Sequence, residues 1–259
     1  MDIDAPIGTG GWPANHRAAL IVMIHIDAPS LDAAEETAQP GLDYAATGLQ
    51  RLLRLLADLD LSSTTAWTAS ALATYPQLAR IAQDGGHEVA VSQVAGGAVP
   101  QHEALLSKIS DIPPVGMIES LPSASSSPGQ WASRGGGQLS AMSWIVTGAG
   151  GDVPVLLTEG GQQTAVIPVS PYWIDTSWLA PDRPLPPSSL LEAWTLSLAA
   201  VRSESGLMVV VQHPHISGRP GFSSQIERFL DEAIESGDVW IANAAQVAEW
   251  WRCREIPAR

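Results

Sequence analysis

The chain has 259 residues, 45% of them hydrophobic, enough for one large domain with a packed core and too apolar for a disordered polymer. Its 27 acidic and 13 basic residues leave a net charge of −14, a field that repels nucleic acid and anionic membrane surfaces, so neither is expected as a partner. A single cysteine, Cys253, excludes an internal disulfide and a cysteine metal cluster.

Residues Met1–Arg17 are rich in Gly, Pro and Asn and suggest an extended arm. They open without a basic segment ahead of an apolar one, so no secretory leader is expected. Ala18–Ile26 (AALIVMIHI) is a nearly continuous apolar run, as in a parallel strand covered on both faces, and is too short to span a bilayer. A cytoplasmic protein is therefore expected. Period-two alternation puts Met23, His25 and Asp27 on one face of that strand. Ala28–Leu42 has the composition of an acidic loop. Tyr44–Leu59 spaces Leu49, Leu52, Leu53, Leu56 and Leu59 as a helix, and Ser63–Ala66 is a short β-branched strand.

Thr74–Gly97 (TYPQLARIAQDGGHEVAVSQVAGG) predicts a helix capped by Thr74 with Pro76 in its first turn, stopped at Gly85 and Gly86, then a strand His87–Val91. Ser92 stands where that strand ends, with the loop Val94–Gly97 after it. Pro100–Ile109 suggests a helix, Val115–Leu121 a strand, Pro122–Gly137 a long loop and Gln138–Val146 a helix. Val153–Leu157 and Thr164–Val169 are predicted strands. SPYWIDTSW follows as an aromatic loop, then a proline-rich turn at Asp182–Pro187 and a helix over Ser188–Ser203. Leu207–Val211 is an apolar strand ending in QHPHISGRPG. Ser224 with Glu227 fits a capping box opening a helix that Gly237 ends. Val239–Ala242 is the last strand, and Asn243 caps a final helix through Trp251. Strands alternate with helices in one domain spanning residues 1–259, with no internal repeat, so a parallel sheet or barrel is expected. The polar residues His25, Asp27, Ser92 and His213 all fall at strand C-termini, where a barrel gathers its active-site groups.

The order and spacing of RLLRLL, the threonine strand, YPQLARIAQDGGHEVA, HPHISGRPG, RFLDE and DVWIANAAQVAEWW resemble the polysaccharide deacetylase-like family, and within it the allantoinase and cyclic imide hydrolase branch. The resemblance runs from Trp12 to Trp251. It implies a distorted (β/α) barrel with fewer than eight parallel strands and hydrolysis of amide-type C–N bonds. Many members use a divalent metal held by one aspartate and two histidines. The family's paired aspartates at the end of the first strand correspond here to His25 and Asp27. Its two metal histidines correspond to Ser92 and Gly96, and its loop arginine to a position within Ser125–Pro128. One of three expected ligands is thus kept, and a lone carboxylate does not hold a zinc ion. No metal site and no cofactor are therefore expected.

Two readings follow. In the first, the chain is a metal-independent hydrolase of a small amide, cyclic imide or ureide. His25 and Asp27 form a base–orienter pair, and His213, titrating near neutral pH, acts as acid to the leaving nitrogen. In the second, it is an inactive barrel acting as a binding protein or as partner of an active paralogue. On that view His25 and Asp27 are a satisfied polar filling and His213 merely ends a strand. Ser92 would be a nucleophile only with a base in hydrogen-bond reach; otherwise it is the residue left by a lost ligand, lining the ligand site. Trp67 and Trp173 are expected near the barrel mouth, where they could stack on a flat ring. Arg219 shapes the late turn or binds a substrate carboxylate. His87 is expected to be a structural hydrogen-bonder. Trp250 and Trp251 are adjacent and cannot both face inward, so a homo-oligomer or a complex with a paralogue is expected.

Overall fold

The computed structural model describes residues 11–28, 44–93, 104–106, 115–120, 142–148, 151–178 and 185–254. The predicted loops at 29–42, 94–97 and 122–137, with Gly96 and Ser125–Pro128, lie outside the described residues.

Among the described residues, nine strands form one sheet: β1 (Ala18–Ile26), β2 (Thr64–Trp67), β3 (Glu88–Ser92), β4 (Gly116–Ser120), β5 (Trp144–Thr147), β6 (Val155–Glu159), β7 (Gln162–Pro168), β8 (Leu207–Gln212) and β9 (Val239–Ala242). The helices are α1 (Tyr44–Asp58), α2 (Ala69–Thr74), α3 (Pro76–Asp84), α4 (Asp175–Trp178), α5 (Pro187–Glu204), α6 (Pro214–Ser217), α7 (Pro220–Glu235) and α8 (Ala244–Cys253). Strand order is β6-β7-β5-β4-β3-β2-β1-β8. The seven strands from β7 to β8 along this path run parallel, β6 pairs antiparallel with β7, and β9 pairs off the path with β1. Beyond β7, Ile174 makes a parallel bridge to Val211 of β8, which brings the two sides of the curled sheet together. The architecture is a distorted (β/α) barrel.

β1 is buried along all nine residues because it serves two cores at once. Leu20, Val22, Ile24 and Ile26 pack outward against the helices, with Leu49, Leu52 and Leu56 of α1, Trp194 of α5 and Phe229 of α7. Ala19, Ile21 and Met23 point into the barrel, where Ala66, Ala90, Ile118, Val146, Ile167 and Val211 fill the interior. Each fully buried aliphatic side chain of this kind contributes roughly 1.5–3 kcal/mol. The alternation that builds both cores also fixes which residues reach the barrel mouth. His25 follows Met23, Ser92 follows Ala90 and His213 follows Val211, all on the inward face.

Several local expectations are corrected. Trp144–Val146, expected as the end of a helix over Gln138–Val146, belongs to strand β5; so short an apolar stretch has no length in which a helical period can declare itself. Thr74 does not cap α3. It ends α2 and its hydroxyl donates to the Ser70 carbonyl, while Tyr75 is the cap residue. The left-handed glycine after α3 is Gly86, at φ +81°. Ser224 does not open its helix either: α7 begins four residues earlier, at Pro220, where proline's missing N–H is no loss. The SPYWIDTSW stretch is a 3₁₀ turn (Pro171–Trp173) running into α4. Of the predicted 100–109 helix only 104–106 is described, and it is helical. Asn243 does cap α8, in a full capping box with Gln246. Trp250 and Trp251 both pack within the chain. The Trp250 indole N–H donates to the Gly11 carbonyl, and Trp251 stacks 5.6 Å from Trp12. Among the described residues no helix is long and apolar enough to cross a membrane.

Candidate active site

Three elements converge at the C-terminal mouth of the barrel. β1 supplies His25, β3 supplies Ser92, and the junction of β8 with α6 supplies His213. The bridge between Ile174 and Val211 then places Asp175, the first residue of α4, beside His213. The turn that carries His213 is held by a close approach to α1. A Cβ built on Gly48 would fall 2.0 Å from the Pro214 carbonyl oxygen, so only glycine fits there.

The side chains form one continuous chain. Ser92 Oγ lies 2.7 Å from His25 Nε2, His25 Nδ1 lies 3.2 Å from His213 Nε2, and His213 Nδ1 lies 2.6 Å from Asp175 Oδ1. Asp175 Oδ2 also accepts the His213 backbone N–H and the Ser217 hydroxyl, each at 2.6 Å. Three donors thus converge on a fully buried carboxyl group, so both of its oxygens have partners. All four members are buried: Asp175 is 0%, Ser92 1%, His25 4% and His213 8% exposed.

Chemistry fixes the direction of this chain. A carboxylate only accepts, so His213 carries its proton on Nδ1. With the His213 ring neutral, its Nε2 is an acceptor and takes the Nδ1 proton of His25. That leaves His25 Nε2 as an acceptor, and Ser92 donates its hydroxyl proton to it. This arrangement requires a neutral His25. Burial first, and then the neighbouring His213 and His215, push the His25 pKa from 6.5 down to about 3.

Asp27 stands apart from this chain. Its Oδ1 accepts the Ala28 N–H at 2.8 Å, the Thr68 hydroxyl at 3.0 Å and the Ser70 hydroxyl at 3.4 Å. The expected His25–Asp27 base–orienter pair is therefore not formed. The two share a strand face, but the His25 ring turns to Ser92 and His213, and Asp27 is exposed at the rim. Trp67 is corrected as well. It lies on the outward face of β2, fully buried in the helix-side core, with its indole N–H given to Thr65 Oγ1 at 3.0 Å, and it offers no face to a ligand. Trp173 is half-buried against the same core. Arg219 donates from Nε to the His215 carbonyl at 2.9 Å and lies over the Tyr44 ring at 4.5 Å, which fits a turn-shaping residue. His87 is a buried acceptor for the Ser63 N–H and bonds the Ser63 hydroxyl.

Asp175 and Ser217 were missed by sequence reasoning. The available signal was a lone acid inside an otherwise aromatic and apolar stretch, YWIDTSW. A divalent metal does not fit the residues present. Both nitrogens of His25 are committed to Ser92 and His213, His213 Nδ1 is committed to Asp175, and a serine hydroxyl stands where the resemblance requires an imidazole. Among the described residues no three potential ligands cluster in a way that could hold a metal ion.

Neither a protein-family model nor a curated protein matches the chain. Solved structures do. A protein assigned as a polysaccharide deacetylase from Mycobacterium smegmatis superposes with a TM-score of 0.81 at 22% identity, over 98% of each chain. An allantoinase gives 0.76 at 18% identity, over 96% of this chain and 95% of its own. A protein assigned as a polysaccharide deacetylase from Pseudomonas aeruginosa gives 0.75 at 18% identity, again over 96% and 95%. The chain has the polysaccharide deacetylase fold.

Proposed function

We propose that the chain is a metal-independent hydrolase of a small non-peptide C–N bond in an amide, cyclic imide or ureide. The observation that carries this reading is the unbroken hydrogen-bonded line from Ser92 through His25 and His213 to Asp175, at the mouth of a barrel where chemistry is expected. In it His25 Nε2 is the base that receives a proton from the attacking group. The Nδ1 proton of His25 moves to His213 Nε2, and the resulting charge rests beside the Asp175 carboxylate. The reverse shift returns a proton to the leaving nitrogen. The fold shared with an allantoinase supports a small cyclic or ureide substrate for this reading.

The test is a panel of hydantoins, cyclic imides, allantoin and N-acetyl sugars, assayed with and without a chelator. Turnover should survive chelation and fall by about 10²–10⁴-fold in His213→Ala and Asp175→Asn, the range general acid–base groups supply. Turnover indifferent to both substitutions, or lost on chelation, sinks the reading.

A second reading, an inactive barrel serving as a binding protein or as partner of an active paralogue, is favoured by one feature. The same four groups satisfy one another and are almost completely buried. If no member of the panel turns over, co-purification with a paralogue carrying the full histidine pair is the outcome that selects it.

A further inference from the structure

We infer that Ser92 is a nucleophile, and that this barrel replaces metal-activated water by serine chemistry driven through two histidines. The inference rests on the hydrolase reading and names the covalent step within it. Three features carry it. The Ser92 hydroxyl has a base in hydrogen-bond reach, His25 Nε2 at 2.7 Å. That base is oriented by a third group on its far nitrogen, His213 Nε2 at 3.2 Å, and the line ends on a buried carboxylate 2.6 Å from His213 Nδ1. The acceptor-only carboxylate sets a proton on His213 Nδ1, and with both rings neutral the serine is the terminal donor of the line.

A single buried imidazolium at His25, flanked by His213 and His215, would have no counter-charge against it. The second ring removes this obstacle, since a proton shift from His25 Nδ1 to His213 Nε2 moves the positive charge onto the ring that Asp175 holds. His213 and Asp175 are thus positioning and charge-storing residues for Ser92.

The step balances as acyl transfer. Ser92 Oγ attacks the carbonyl carbon, and its proton passes to His25 Nε2. The C–N bond breaks with the nitrogen taking that proton, which leaves an ester on Ser92 and a free amine. Water, deprotonated by His25 Nε2, then attacks the ester, and Ser92 Oγ leaves with that proton as the carboxylic acid is released. Nothing is oxidised or reduced.

The experiment is treatment of the full chain with diisopropyl fluorophosphate, followed by intact mass and peptide mapping. One diisopropylphosphoryl group on Ser92 is expected. The labelling rate should fall by about 10²–10⁴-fold in His25→Gln, the loss of a general base. It should be unchanged in Ser224→Ala, a serine exposed on α7 whose hydroxyl donates to the Gly221 carbonyl and accepts from the Gln225 side-chain amide. Mapping the adduct in the unsubstituted chain decides the matter even if Ser92→Ala does not fold. No adduct, or an adduct on another serine, overturns the inference. Labelling of Ser92 with no turnover on the substrate panel leaves Ser92 as a nucleophile and removes the C–N reading. Turnover that persists in folded Ser92→Ala leaves the C–N reading and removes Ser92.

Discussion

The two ends of β3 carry two buried polar clusters built on different principles. At the N-terminal end Glu88 is an acceptor for everything around it. It takes the Thr64 hydroxyl at 2.8 Å, the Trp144 indole N–H at 2.8 Å and the Ala245 N–H at the start of α8 at 3.1 Å. The Trp144 indole and the Ala245 N–H can only donate, and the Thr64 hydroxyl, which accepts the Ala244 N–H at 2.8 Å, gives its own proton to Glu88, so the cluster has one arrangement. It ties β2, β3, β5 and α8 together as a stability device at the base of the barrel. At the C-terminal end Ser92 opens a line through two imidazoles, each able to donate from either nitrogen. That line runs one way when both rings are neutral and the other way when His213 carries a second proton. The lower cluster is pinned by backbone and indole donors whose roles are fixed; the upper one runs through imidazoles whose donor and acceptor roles can exchange. Both lie on the same inward face, four residues apart.

The largest effect is expected where the upper line is anchored. Asp175→Ala removes the acceptor of three donors at a site with no solvent exposure, and should cost about 3–5 kcal/mol of unfolding free energy, as breaking a buried charged pair does. Urea denaturation measures it, and a loss comparable with a surface substitution would mean that the anchor is dispensable.

Glu88→Gln tests the lower cluster. Its amide nitrogen would face a donor wherever it pointed, so a loss of about 1–3 kcal/mol is expected with no change in Ser92 labelling. Altered labelling would mean that the two ends of the strand are coupled.

The most specific effect is on pH dependence. His25 is held at about 3, chiefly by burial and then by His213 and His215, so its folded value is depressed below 6.5. Its contribution to stability is complete above pH 6.5 and is lost as pH falls toward 3, because the unfolded chain takes a proton that the folded chain refuses. The slope is at most about 1.4 kcal/mol per pH unit. Glu88 works in the opposite sense. Burial raises its carboxyl above 4.5, so its contribution is complete below that value and declines as pH rises through the folded one. Comparing unfolding free energies of the unsubstituted chain and His25→Asn from pH 7.5 to 4 separates the two. The curves should run parallel above about pH 6.5 and converge below it as the unsubstituted chain loses the His25 contribution. Parallel curves throughout would show that the ring titrates normally.

Much of the frame was legible because its signals are local and repeated. The apolar run of β1, the leucine spacing of α1 and the Asn243 cap each lie within a few residues of chain. Face parity from the same patterns also put His25 on one face of β1 with Met23. Trp67 shows where this fails, since its proximity to the mouth in sequence said nothing of its outward orientation until the register of β2 was known. β5 failed for lack of length.

What the sequence by itself determined is the alternation of strands and helices, the two-sided burial of β1 and the set of polar residues at strand ends. Periodicity of 2 and 3.6 residues and the chemistry of caps are properties of neighbouring residues. Only the tertiary structure decided that these polar residues join into one line. Ser92 and His25 are 67 positions apart, His25 and His213 are 188, and His213 and Asp175 are 38. The last of these contacts exists because Ile174 pairs with Val211 where the sheet curls back on itself, and no local pattern in the aromatic stretch around Asp175 specifies that pairing. A hydrogen bond depends on position to within a fraction of an ångström, and at such separations only the packed core sets that position.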